Sequence, residues 1–305
     1  MEPHGRQRVA VDGVAPLDKV YLNGEFLAAE QACIPVTDRG LLFGDSVYEV
    51  IPAFAGVPFR AEQHLARLQR SLSAIRMDNP HTDREWRHIL ERLCSTCPHG
   101  DHSIYLQVTR GSYAKRAHKI PSKVTPTVIA FASPIAERDP GIASDGIRAI
   151  TLQDIRWRHC DIKATTLLAN VLAQAEAAEQ GALDAILVRD GQALEGTASN
   201  LFIVLEGLLI TPPDSDQLLP GVTRDLVLEL AQDAKVPFAQ ASIHEEDLKK
   251  AGEIWLTSST REIAPVVELD GEAVGDGKPG AHWRYMDQLY QAAKQRIRLQ
   301  AGGAQ

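Results

Sequence analysis

Apolar and polar positions change rhythm several times along this chain, and the changes mark its elements. Apolar residues flank Asn23-Gly24 in Val20-Tyr-Leu-Asn-Gly-Glu-Phe26, which predicts a hairpin. A strand follows from Ser46 to about Phe54, turned back at Ala55-Gly56. Period-two alternation puts Tyr48 and Val50 on one face of it and Val47 and Glu49 on the other. From Ala61 to Met77 the period lengthens to that of a helix, with Leu65, Leu68, Leu72 and Ile75 on its inner stripe. A second helix is expected from about Asp83 to Cys94. Ile104, Leu106 and Val108 then alternate against Tyr105 and Gln107 in a strand over 103–110, and another strand is expected over 127–132.

The second half alternates more regularly. A strand near Ile147–Gln153 precedes a predicted helix from Thr165 to Ala178, with Leu168, Val171, Leu172 and Ala175 at helical spacing. Strands are expected over 185–189, through Ala193–Val204 and over 207–211. Pro220-Gly-Val-Thr-Arg224 opens a helix with Leu226, Val227, Leu230 and Ala234 on its apolar face. Strands at 254–256 and 266–269 and a terminal helix from about Ala281 to Leu299 complete the pattern. It describes a mixed α/β protein. Its 305 residues are long for one core. The expected division is a loose arm over 1–18, a small domain over 19–137, a linker over 138–145 and a larger domain over 146–305.

Composition narrows the classes of function. A hydrophobic fraction of 44% with 24% charged residues is that of an ordinary globular protein. The net charge of −8 argues against a general nucleic-acid binder. No apolar run approaches membrane-spanning length, and Met1–Lys19 lacks a signal-peptide core, so no membrane association is expected. Four cysteines in so long a chain do not make a disulfide framework and suit a reducing cytoplasm. Cys94, Cys97, His99 and His102 invite a zinc reading, yet four ligands within nine residues leave little chain to wrap a tetrahedral site. A helix end running into a polar loop is the expectation there, with no metal.

Candidate chemistry centres on Lys163, between a polar-aromatic segment and the apolar run that follows. Packed elements around a lysine lower its pKa, and a neutral amine is what Schiff-base chemistry requires. Gly221-Val222-Thr223 presents backbone N–H groups at a helix start, a natural phosphate site. Ser258-Ser259-Thr260 ends a strand with three hydroxyls. Glu195 stands on a strand and precedes Gly196, where another group can approach closely. A lysine, a phosphate cradle and a carboxylate are the parts that hold pyridoxal phosphate. His64 and Arg67, one helical turn apart, read by themselves as a solvated edge with a surface ion pair. Tyr48-Glu49 reads equally as a site or as a hairpin pair. Lys115, Arg116, His118 and Lys119 make a cationic loop suited to an anion.

Five motifs together resemble the class IV, fold-type IV pyridoxal-phosphate aminotransferases. They are Asp38-Arg-Gly-Leu-Leu-Phe-Gly-Asp-Ser-Val-Tyr-Glu-Val50, His64-Leu-Ala-Arg-Leu68, Lys163, Glu195-Gly-Thr-Ala-Ser-Asn200 and Leu219-Pro-Gly-Val-Thr-Arg224. The resemblance covers about Val20 to Arg298. It implies a two-domain fold, with a small N-terminal α/β domain and a larger, β-rich C-terminal α/β domain. Lys163 is then the Schiff-base lysine and proton carrier, and Glu195 the partner of the pyridine nitrogen. Arg67, the backbone of Val222 and Thr223, and the Ser259 and Thr260 hydroxyls are implied to hold the phosphate. The family usually carries threonine where Ser259 stands.

Arg116-Ala-His118 matches the Arg-x-His of the D-amino-acid branch of the family. There the pair reaches across a homodimer interface and, with a tyrosine matching Tyr48, holds the substrate carboxylate. The implied reaction moves the amino group of D-amino acids to 2-oxo acids such as pyruvate or 2-oxoglutarate by a ping-pong course. Branched-chain L-amino-acid and (R)-amine aminotransferases of the same family are the alternatives, with aminodeoxychorismate lyase behind them. A non-catalytic carrier of the cofactor or a dimeric interaction protein is disfavoured by the intact Lys163 and Glu195.

Overall fold

A computed structural model of the chain describes residues 17–97, 100–135 and 138–302. The expected arm lies almost wholly outside them. The N-terminal half folds as β1 (Lys19–Leu22), β2 (Glu25–Ala28), α1 (Arg39–Phe43), β3 (Ser46–Phe54), β4 (Val57–Pro58), α2 (Ala61–Ala74), α3 (Asp83–Thr96), β5 (His102–Thr109) and β6 (Thr127–Pro134). Asn23 and Gly24 both take positive φ, so the β1–β2 hairpin turns as its Asn-Gly pair dictates. The six strands lie in the order β2-β1-β6-β5-β3-β4. Val47, Ile51, Ile104, Leu106 and Val108 point to one face and are fully buried beneath Leu68 and Leu72 of α2 and Trp86 and Leu93 of α3. Tyr48 and Val50 are on the opposite face, as the alternation requires.

The short helix α4 (Pro140–Ser144) lies within the stretch expected to be linker. Beyond it come β7 (Ile147–Gln153), α5 (Leu168–Glu179), β8 (Asp184–Arg189), β9 (Gln192–Gly196), β10 (Asn200–Leu205), β11 (Leu208–Thr211), α6 (Val222–Asp233), β12 (Phe238–Gln240), β13 (Ile243–His244), α7 (Glu245–Lys250), β14 (Glu253–Ser258), β15 (Glu262–Leu269), β16 (Glu272–Ala273) and α8 (Ala281–Gly302). Their sheet runs β12-β11-β10-β14-β15-β7-β8-β9-β13. A further pairing of Glu195 in β9 with Asn200 in β10 closes the middle of that path on itself. Glu195 therefore sits at the point of closure.

The two sheets share a core. Phe54 and Phe59, from the β3–β4 hairpin, pack into a cluster with Phe202, Trp255, Trp283 and Tyr290. Two 2.6 Å hydrogen bonds from the Arg60 guanidinium to the Glu229 carboxylate reinforce the junction. Nearby, Lys163 is placed by the first sheet although it belongs to the second half of the chain. Ala164 bridges to Val47, and the Tyr48 N–H donates to the Lys163 carbonyl at 3.0 Å.

That pairing corrects the expected start of α5. The helix starts at Leu168, three residues later than Thr165: Ala164 bridges to Val47 and the Thr165 N–H donates to the Ser46 carbonyl at 3.2 Å, so this stretch runs paired alongside β3 before the chain turns into the helix. Its apolar stripe also faces outward: Leu168, Val171 and Leu172 are 72%, 60% and 54% exposed, and Ala177 is the helix's buried residue.

Candidate active site

One cavity of about 490 Å³ lies between the two halves and is bordered by Tyr48, Arg67, Lys163, Glu195, Val222, Thr223, Ser259 and Thr260. Residues from six separate stretches of sequence thus meet around one space. The Lys163 backbone is pinned on both sides, by Tyr48 as above and by its own N–H to Ser71 Oγ of α2 at 3.2 Å. Its Nζ sits 4.2 Å from the centroid of the Tyr48 ring. Burial, with help from the nearby Arg67 charge, brings its pKa down to about 8. The Tyr48 hydroxyl moves the other way, to about 12, because burial disfavours a phenolate. Its ring stacks on Tyr105 at 5.7 Å, so it is held face-on to the cavity.

Glu195 enters from the closing pair of the barrel-like sheet. Its Oε2 accepts from the Leu219 N–H at 3.0 Å and from Asn200 Nδ2 at 3.3 Å, while Oε1 faces Arg156 Nη1. Burial pushes this carboxyl above its ordinary value, opposed by Arg156 and the Leu219 N–H. Arg156 is itself clamped by Asp154, which takes its Nε and Nη2, each at 2.9 Å. No motif marked Arg156. It stands in the charged run Asp154-Ile-Arg-Trp-Arg158, where nothing in the sequence separates it from the exposed Arg158.

Gly196 has the close approach expected of it, since a Cβ there would lie 2.0 Å from Ser199 Oγ. The turn from Gly196 to Ser199 is organised by Asp184, which is fully buried and was not singled out from sequence. Its carboxylate accepts from Thr197 N and Oγ1, Ser199 Oγ and Ala185 N.

At the opposite wall, α6 begins behind Gly221 with no side-chain cap, leaving the first-turn N–H groups of Val222 and Thr223 at the cavity edge. A Cβ on Gly221 would fall 1.8 Å from Asn200 Oδ1, so only glycine admits this approach. Arg67 is not a solvated edge residue: it is 3% exposed. Its Nε and Nη2 donate to Glu49 at 2.8 and 2.7 Å, and its Nη1 to the Pro220 carbonyl at 3.0 Å. His64 Nδ1 is 2.8 Å from the same carboxylate. Burial would raise the Glu49 pKa, but Arg67 and His64 hold it at about 2. Tyr48 and Glu49 thus divide the work of one strand: Tyr48 faces the cavity and Glu49 orients Arg67 from behind.

These residues fit pyridoxal phosphate. A lysine of lowered pKa, a buried carboxylate, an uncapped helix start and the Ser259 and Thr260 hydroxyls border one space, and Thr257 Oγ1 on its wall is buried without a partner. Arg116 and His118 do not border it. Both pack on Phe43, with Arg116 Cζ 5.2 Å and the His118 ring 5.3 Å from that ring's centroid. Arg39 fixes the loop by donating to the Ala117 carbonyl at 2.7 Å. Of the cysteine–histidine run, His99 lies outside the described residues, and Cys94 is buried in the first core.

Comparison with known proteins agrees with this geometry. The family model described as amino-transferase class IV matches residues 46–269. A D-alanine aminotransferase of Bacillus licheniformis is 37% identical over 262 residues, covering 86% of this chain and 92% of that protein. A branched-chain amino acid aminotransferase structure from Escherichia coli superimposes with a TM-score of 0.84 at 26% identity, over 91% of this chain and 94% of that one. A hypothetical aminotransferase from Mycobacterium tuberculosis, in a PLP-bound form, gives a TM-score of 0.78 at 26% identity, over 90% and 98%. Fold and site define a fold-type IV enzyme whose cofactor is pyridoxal phosphate. The chain belongs to the class IV aminotransferases.

Proposed function

We propose that this protein transfers the amino group of D-amino acids, D-alanine among them, to 2-oxo acids such as pyruvate or 2-oxoglutarate. The observation that carries the reading is the meeting of the Lys163 amine, the Glu195 carboxylate and the α6 N-terminus in one cavity. The D-alanine aminotransferases among its relatives, and the Arg116-Ala-His118 loop, support the D-amino-acid choice. When bound, pyridoxal phosphate supplies an electron sink next to the substrate α-carbon. Lys163 Nζ anchors the cofactor and then carries the proton lost from that carbon. Glu195, ion-paired with Arg156, holds a proton on the ring nitrogen. The Val222 and Thr223 N–H groups, Ser259, Thr260 and Arg67 hold the phosphate, with Arg67 shaped for it by Glu49.

The working form in this reading is a homodimer. Leu168, Val171 and Leu172 form an exposed apolar stripe beside the cavity mouth, a surface that a partner would cover. The partner's loop would bring Arg116 and His118 to the substrate carboxylate beside Tyr48. We also read the two sheets as two domains divided over 138–145. Among the described residues no helix is long and apolar enough to cross a membrane, and four free cysteines favour the cytoplasm. A panel of D- and L-amino acids with pyruvate and 2-oxoglutarate tests the function. D-alanine is expected to be consumed and L-leucine and (R)-phenylethylamine spared; the opposite preference would overturn the D-amino-acid assignment.

A further inference from the structure

We propose that Glu262 is a positioning residue for the cofactor phosphate, locking the turn that carries Ser259 and Thr260 and tying it to α8. The inference rests on the reading of those two hydroxyls as phosphate ligands and adds to it what holds them in place.

Ser259, Thr260 and Arg261 form the turn between β14 and β15, and Ser258 pairs with Glu262 across its base. The turn borders the cavity through Ser259 and Thr260. A bond from the Arg261 N–H to Ser258 Oγ, at 3.2 Å, runs inside it. The chain leaves the turn through Glu262 with a φ of 60°, a left-handed conformation that suits glycine and strains a long side chain. Such a residue persists where its surroundings over-determine it.

Here one helix supplies those surroundings. Glu262 is buried, and its carboxylate accepts from Gln291 Nε2 at 2.6 Å and from Lys294 Nζ, both on α8. Trp283 Nε1, on the same helix, donates to the Ile263 carbonyl at 3.1 Å. α8 thus grips the first two residues after the turn. Lys294 is buried as well, and its Nζ lies 4.4 Å from the centroid of the Phe54 ring in β3. One helical turn on, Arg298 Nη2 donates to Asp101 at 2.5 Å. The helix therefore braces the phosphate turn against the first sheet. Glycine would allow the turn its backbone shape without fixing it, whereas a glutamate held by two donors fixes the shape. A turn ordered before the cofactor arrives loses less entropy when its hydroxyls engage a phosphate. By linkage, a phosphate on the turn holds α8 in place in return.

The test measures the affinity of the apo-protein for pyridoxal phosphate and for pyridoxal, which differ in the phosphate alone. The double variant Glu262→Ala, Lys294→Met cuts the tether from both sides, so that no buried charge is left unpaired. Its affinity for pyridoxal phosphate should fall by roughly ten-fold or more, with that for pyridoxal unchanged. The double variant Glu262→Gly, Lys294→Met accepts the left-handed backbone and should recover part of the loss. Glu262→Gln, with an oxygen still in reach of Gln291 and Lys294, should fall between wild type and the alanine variant. Amide exchange in α8 should slow when inorganic phosphate is added to the wild-type apo-protein, and not in the alanine variant. An unchanged ratio of the two affinities, or the equal fall for both ligands that a merely structural role would give, would overturn the proposal. The double variant Ser259→Ala, Thr260→Val separates the two readings. If it leaves the ratio unchanged, the phosphate assignment fails and the inference falls with it. If it lowers the ratio while the alanine variant at Glu262 does not, the inference alone fails.

Discussion

Replacing Glu49 by glutamine removes a charge that no solvent reaches. Its carboxylate takes two N–H groups of Arg67 and faces His64, and it is fully buried. Glu49→Gln leaves the Arg67 guanidinium, 3% exposed, without its counter-ion. Breaking a buried pair from one side costs roughly 3–5 kcal/mol. The downward shift of the Glu49 carboxyl, from 4.5 to about 2, points in the same direction, because the charged form is the one Arg67 and His64 favour.

The sign follows from the direction of the shift. A depressed folded-state pKa stabilises above the unfolded value near 4.5, and that contribution drains away as pH falls towards 2. Urea unfolding of the apo-protein, at one protein concentration, should show the variant about 3 kcal/mol less stable at pH 7. The gap should narrow below pH 4.5. Inorganic phosphate should stabilise the variant more than the wild type, because it offers Arg67 a replacement anion. A gap under about 1 kcal/mol at pH 7, or one that persists unchanged in acid, would refute the account of Arg67 as held by Glu49.

The Lys163 amine should gain reactivity as pH rises through about 8, because its neutral form dominates above that value. At pH 7 its neutral fraction exceeds that of a lysine at 10.5 by roughly 300-fold. Borohydride fixation of pyridoxal phosphate should follow this profile in the wild type and vanish, with turnover, in Lys163→Ala; a midpoint near 10 would contradict the buried amine. Gly221→Ala drives a methyl group into Asn200, which also holds the Leu219 carbonyl at 2.7 Å, so cofactor affinity should fall at least about ten-fold in a titration of the apo-protein. Leu172→Glu places a charge in the exposed α5 stripe. Sedimentation should show monomers with little activity, and an active dimer would remove this stripe from the interface.

Much of this was legible in the chain itself. β3 and β5 announce themselves because one face of their sheet is covered by α2 and α3 while the other, which carries Tyr48 and Val50 of β3 to the cavity, is only half-buried, so burial alternates with period two. The Asn23-Gly24 turn and the α6 start at Gly221 are local chemistry and needed no neighbour. Short elements such as α1, α7 and β13 were not legible, because two to six residues carry too few periods to show one. Lys163, Glu195 and Gly221–Thr223 were readable as parts through their chemistry and motif spacing.

Only the tertiary structure decided how those parts are used. The sequence put Leu168, Val171 and Leu172 at helical spacing but not on a particular side; Ala164 and Thr165 are drawn into pairing with β3, and the helix that follows turns these residues outward. Arg67 looked like a surface ion pair, and Glu49 on a neighbouring element made it a buried one. Arg156, Asp184 and Glu262 carry no pattern at all, since a charge's role is set by what lies within about 4 Å of it, and those neighbours come from distant stretches. Periodicity and local turn chemistry act over a few residues, so the sequence determined the elements and the kinds of group available. Which charges are buried and paired, and which face of a helix is left bare, are long-range facts that the packing alone resolves.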